Sequence, residues 1–148
     1  MKKVMLLHGV NHNMFGKRDP KQYGTITLDG INKKVDDLAK ELDIEVTNFQ
    51  TNNEGEFVDK IHEAYLEGYD GVMLNAGAWT HYSHAIGDAL RMLECPVIEL
   101  HMSNVHAREE FRKESKTAPA CIGQMCGFGE KGYVLAMEAL EDYITKNK

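Results

Sequence analysis

Short apolar bursts alternate with helical patterns along this chain. Val4 to Leu7 is a continuous apolar run, the pattern of a parallel strand buried on both faces. Leu28, Ile31, Val35, Leu38 and Leu42 recur at three- and four-residue steps, predicting an amphipathic helix with Thr27 as its N-cap. Ile44 to Phe49 alternates as a strand. Phe57, Ile61, Ala64 and Tyr65 mark a second helix that closes near Gly68, and Gly71 to Leu74 reads as a third strand. A helix is predicted over His81 to Leu93, a fourth strand over Pro96 to Leu100 and a shorter helix over Arg108 to Lys113. Ala120 to Cys126 reads as a fifth strand and Lys131 to Ile144 as the closing helix.

Strands and helices in this alternation predict a doubly wound, flavodoxin-like α/β fold. A five-stranded parallel sheet would lie between two helical layers, with residues 1–148 forming a single domain. Ligands of such folds sit outside the C-terminal ends of the strands. The segments to inspect are therefore 8–24, 50–55, 75–81, 101–112 and 127–131, where the unusual polar residues cluster. The first is long for a connection and carries adjacent Lys17 and Arg18, as a lid or binding loop does.

Composition narrows the function classes. Apolar residues make up 43% of the chain, enough for a core without disulfides or a structural metal. Twenty-three acidic against 17 basic side chains leave a charge of −6, which argues against nucleic-acid partners and against adsorption to an anionic membrane. No apolar run approaches the roughly 18 residues of a spanning helix. The opening residues are too short in their apolar part for a secretory signal. Three cysteines without metal-type spacing point to a reduced, cytoplasmic chain.

Gly127-Phe-Gly129-Glu-Lys-Gly132 fits a glycine-rich dinucleotide fingerprint, but it follows the last strand and leaves no room for the acidic ribose partner. A tight turn that lets helix and sheet approach is the plainer account. Seven histidines occur, none in an H-E-x-x-H helix, so no metal is expected. More specific is the chemistry at strand ends. Asn75-Ala-Gly77-Ala-Trp79-Thr80-His81 places an amide, a glycine turn and an imidazole at a predicted helix start that favours an anion. Glu99 and His101 stand two apart at a strand end and so share a face, where the carboxylate can orient the imidazole as a general acid. Arg108 and Arg112 sit one predicted helical turn apart and offer forks for a carboxylate.

Several blocks together resemble one family, the type II 3-dehydroquinate dehydratases, over nearly the whole chain. They are Gly9-Val-Asn11-His-Asn13, Gly16-Lys-Arg18-Asp-Pro20-Lys-Gln-Tyr23-Gly24 and Gln50-Thr-Asn-Asn-Glu54-Gly55-Glu56. Asn75-Ala-Gly-Ala-Trp-Thr-His81, Asp88-Ala-Leu90 and the long run from Glu99 through His101, Ser103 and Arg108 to Arg112 complete the match. The resemblance implies a lyase that needs no cofactor and removes water from 3-dehydroquinate, through an enolate, to give 3-dehydroshikimate. It also implies a homo-oligomer, a dodecamer built from trimers. Tyr23 would be the base. A free tyrosine titrates near 10, so the resemblance gives Arg18 the task of stabilising its phenolate. Asn11 would hydrogen-bond the enolate oxygen, and His101, oriented by Glu99, would protonate the departing hydroxyl. Asn75, His81, Ser103, the backbone at Met102 and Arg112 would hold the anionic substrate, while Asp88 would reach a neighbouring subunit's site.

The chain departs from the family's usual pattern at His8, Val10 and His12 around Asn11, at Gly87 in place of Arg, and at Gln124 in place of an apolar residue. These departures leave open a relative acting on another cyclic hydroxy-ketone acid, and the glycine-rich turn leaves open a nucleotide- or flavin-binding module. Biosynthetic and catabolic roles use the same step.

Overall fold

Alternate residues of each inner strand face opposite ways, and both faces are covered. The computed structural model describes residues 1–147; Lys148, the last residue of the predicted domain span, lies outside the described residues. The strands are β1 (Lys2–His8), β2 (Ile44–Gln50), β3 (Gly71–Asn75), β4 (Val97–His101) and β5 (Gly123–Cys126), all parallel in the order β2-β1-β3-β4-β5. The helices are α1 (Pro20–Tyr23), α2 (Leu28–Glu41), α3 (Glu54–Leu66), α4 (His84–Arg91) and α5 (Lys131–Lys146).

Val4 and Leu6 of β1 pack with Ile31, Val35 and Ala39 of α2 and with Ala136, Met137 and Leu140 of α5. Met5 and Leu7 turn the other way, onto Phe57 and Ile61 of α3 and Ile86 and Leu90 of α4. The two clusters are the two interfaces of a three-layer α/β fold of flavodoxin type. Burying both faces is why β1 and β3 read as unbroken apolar runs.

Thr27 caps α2 as predicted, its Oγ1 accepting from the Gly30 N–H at 3.1 Å. Thr27→Ala is expected to cost about 1 kcal/mol, read as a lowered urea midpoint at unchanged slope.

Three elements differ from the sequence expectation. The predicted helix from His81 splits into a 3-10 turn over Gly77–His81 and α4, which starts at His84. Ser83 causes the split, because its Oγ accepts from the Ile86 N–H and donates to the Glu54 carboxylate. The free N–H groups of that helix therefore do not open beside His81. Arg108 to Lys113 is not one helix but two 3-10 turns, Val105–Ala107 and Glu110–Lys113, with Arg108 extended between them. Ala118–Ala120 is also a 3-10 turn around Pro119, so β5 begins only at Gly123.

Candidate active site

The order of strands reverses beside β1, and the loops leaving β1, β3 and β4 meet there. Backbones approach very closely. The Gly9 N–H donates to the Asn75 carbonyl at 2.8 Å, and a Cβ at Gly9 would stand 2.3 Å from the Ala76 oxygen. Asn11 adopts a left-handed φ of 70°, which asparagine tolerates. Its N–H donates to Asn52 Oδ1 at 2.8 Å, and Gln50 Nε2 donates to the Gly9 carbonyl at 3.1 Å. Gln50 at the end of β2 and Asn52 just after it thus clamp the β1 loop.

The loops enclose a cavity of about 130 Å³. Asn11, Arg18, Tyr23, Asn75, His81, His101, Met102, Ser103, Arg108 and Arg112, all singled out in the sequence, line it together with Val10 and His12. The volume is below the roughly 300 Å³ of drug-sized ligand sites, so it suits a single-ring compound rather than a dinucleotide. Glu99 stands behind His101. Asp88 is exposed on α4, outside this cavity, with Arg91 3.5 Å away.

Strand alternation puts Glu99 and His101 on one face, and the His101 Nε2 lies 2.9 Å from Glu99 Oε2. Glu99 is fully buried. Burial pushes its carboxyl up, but hydrogen bonds from His101, Thr117 and Gln124 outweigh that and hold it below its usual range. Ser115 Oγ adds a further donor at 3.0 Å. A carboxylate so held keeps a proton on His101 Nε2 and leaves Nδ1 as the nitrogen available to a ligand. None of Ser115, Thr117 and Gln124 was singled out from the sequence as a partner of Glu99; they are far from it along the chain and meet it only in the fold.

Across the cavity, Arg18 Nη2 donates to the Tyr23 hydroxyl at 2.9 Å, and its guanidinium also lies 3.8 Å from the Tyr23 ring centroid. Asp19 caps the short α1 that carries Tyr23, and Pro20 supplies a preset first turn. Arg108, extended rather than helical, places its guanidinium 5.4 Å from the same ring and donates to Ser103 Oγ at 3.0 Å. Two cations thus face one phenol in a chain of net charge −6. Arg112 pairs with Glu109 at 3.1 Å while lining the cavity.

The remaining polar groups have defined tautomers. His81 Nδ1 lies 2.8 Å from the Glu114 carbonyl and so carries the proton, which leaves Nε2 as an acceptor. Burial lowers the His81 pKa, against a smaller rise from that bond. His12 Nδ1 accepts from the Gly9 N–H at 3.0 Å, so its proton sits on Nε2. Burial holds His12 well below the ordinary imidazole value. Beneath it His8 is fully buried, bonded to Asn32 Oδ1 at 2.8 Å, and burial pushes its pKa down to about 4. Asn75 is fixed by the buried Tyr133 hydroxyl, which accepts from Asn75 Nδ2 at 2.8 Å. Tyr133 was read only as part of the closing helix, and its spacing there marks a core position and nothing more.

The glycine-rich turn after β5 does not cradle phosphate. Gly127 and Gly129 take positive φ, and their N–H groups donate to the carbonyls of His101 and Met102 at 3.3 and 3.0 Å. Those donors anchor the β4 loop, which removes the basis of the nucleotide reading. Among the described residues no three His, Cys, Asp or Glu side chains are grouped to hold a metal. Gly87 is fixed by packing, since a Cβ there would stand 2.6 Å from the Lys116 carbonyl oxygen.

Comparison with known proteins gives the family of the chain. The sequence profile of dehydroquinase class II matches residues 2–141. The 3-dehydroquinate dehydratase of Syntrophotalea carbinolica is 55% identical over 97% of each chain. That of Clostridium beijerinckii is 52% identical over 94% of this chain and 95% of the relative. The crystal structure of type II dehydroquinase from Butyrivibrio crossotus superposes with a TM-score of 0.92 at 44% identity, covering 94% of this chain and 97% of the other. With the profile spanning residues 2–141 and relatives above 50% identity along nearly the whole chain, this chain belongs to the dehydroquinase class II family.

Proposed function

We propose that this protein is a hydro-lyase that converts 3-dehydroquinate into 3-dehydroshikimate within the cavity between Tyr23 and His101. One observation carries the reading. An Arg18–Tyr23 pair suited to proton removal and a Glu99–His101 pair suited to proton delivery line one small cavity of a chain in this family.

Tyr23, as phenolate held by Arg18, takes the proton beside the ketone, and the electron pair moves into an enolate. Asn11 supplies a hydrogen bond to the enolate oxygen, pre-placed by the clamp from Asn52. Collapse of the enolate expels the hydroxyl, which leaves as water with the proton from His101 Nδ1. Glu99 stabilises the imidazolium before that transfer. Asn75, His81 Nε2, Ser103, the backbone at Met102 and Arg112 hold the substrate's hydroxyls and carboxylate. The segment from Phe15 to Gly24, carrying Arg18 and Tyr23, acts as a lid that excludes water.

Asp88 is exposed and does not line its own cavity, which suits a contribution to a neighbouring subunit in a dodecamer of trimers. Three free cysteines fit a reducing, cytoplasmic setting. Burial raises Cys95 to about 11 and Cys121 to about 12, so neither is a ready nucleophile. No helix among the described residues is long and apolar enough to cross a membrane.

Mixed with dehydroquinate, the protein is expected to generate the ultraviolet absorbance of a conjugated enone. His101→Ala is expected to lower kcat about a hundredfold. An intact protein that yields no such absorbance would sink the proposal.

A further inference from the structure

Gln124 is a polar residue on β5, the sheet's last strand, and its side chain is not idle. In the parallel ladder it is the register partner of Glu99, so the two side chains project from the same face of the sheet. Its Nε2 donates to Glu99 Oε2 at 2.6 Å. That oxygen is the one His101 Nε2 meets at 2.9 Å. Ser115 and Thr117 approach mainly from the other side, through Oε1. Glu99 is thereby held from both ends, and its Oε2 is shared between an amide and the imidazole.

We propose that Gln124 is a positioning residue for the elimination, holding the Glu99 carboxylate in place for His101 and competing with the imidazole for the same oxygen. The inference rests on the reading of His101 as general acid. A neutral donor on Oε2 withdraws negative charge from the atom that holds the His101 proton. Removing the donor strengthens the carboxylate's grip on the imidazolium, whereas a cation in its place weakens that grip. Other ionisable groups face the pair: His81, His12 and Cys121, with Arg112 beside His81 in the same cavity. Substitution at 124 leaves all of these in place. Gln124 is itself exposed on one side, so exchanging it opens no buried cavity.

The test is the pH dependence of kcat for two variants of the assembled protein. Gln124→Met keeps length and volume but has no donor; Gln124→Lys keeps a donor and adds charge. Loss of the protonated acid sets the alkaline limb of the profile. That limb is expected to move up by about half a pH unit in the Met variant and down by a similar amount in the Lys variant. kcat at the optimum is expected to fall about threefold in Gln124→Met while KM stays within twofold, because the bond orients the acid and not the substrate. Limbs that stay put, or move the same way in both variants, overturn the inference, as does loss of the fold in both. If His101→Ala keeps full activity, the reading of the acid itself has failed. An inactive His101→Ala beside unaffected Gln124 variants removes only the role of Gln124.

Discussion

Tyr23→Phe is expected to lower kcat on dehydroquinate by about 10³-fold or more while the fold persists. The hydroxyl that this substitution deletes is the atom Arg18 Nη2 meets at 2.9 Å, and no other side chain in the cavity is placed to take the proton with a cation already committed to it. A loss of that size corresponds to about 4 kcal/mol of transition-state stabilisation. Stability is spared because the ring remains. Phenylalanine keeps the packing on Phe15, whose ring centre lies 6.1 Å away, and the Arg18 guanidinium over its face. KM is expected to change little. Steady-state rates and a thermal melt on the same preparation check both halves, and activity within tenfold of the unaltered protein would remove Tyr23 as the base.

Acid is expected to destabilise the protein from about pH 6.5 downward, before most of its carboxylates titrate. His8 is fully buried, its Nδ1 has no partner and its pKa is pushed down to about 4 from an ordinary 6.5. The folded state therefore resists a proton that the unfolded chain accepts. Stability is complete above about pH 6.5 and declines as pH falls toward 4, by about 2 kcal/mol at pH 5 and about 3 at pH 4. His12, also lowered by burial, adds to the decline with the same sign. Glu99, held below its ordinary value, contributes a further loss only at lower pH. Urea unfolding at pH 7.5, 6, 5 and 4.5 measures the slope. His8→Asn, which keeps a polar side chain but cannot take the proton, is expected to flatten it; an identical slope in that variant would refute the assignment.

Much of the site was legible in the chain because its chemistry is local. Glu99 and His101 lie two apart on a strand, and that spacing alone places them on one face. Arg18 and Tyr23 are five apart, but what joins them is α1, whose Asp19 cap and Pro20 turn the chain back. The readings that failed did so where side chains bonded across the fold. Ser83 took the N-cap role because Glu54 and Ile86 engage it together, moving the helix start away from His81. Arg108 left the helical pattern to reach Ser103 and the Tyr23 ring.

Apolar periodicity and strand-end spacing were sufficient to establish a parallel α/β sheet, its layers and the shared face of Glu99 and His101, while Arg18 and Tyr23 were picked out as a pair by the family resemblance alone. Periodicity and spacing depend on neighbours a few residues apart, whose relative directions follow from helix and strand geometry. The setting of those pairs came from long-range contacts instead: Gln124, Ser115 and Thr117 around Glu99, Tyr133 under Asn75, and the buried His8 beneath the loop. Sheet register and layer packing bring these groups together, and no local spacing encodes which distant residue arrives at a given atom.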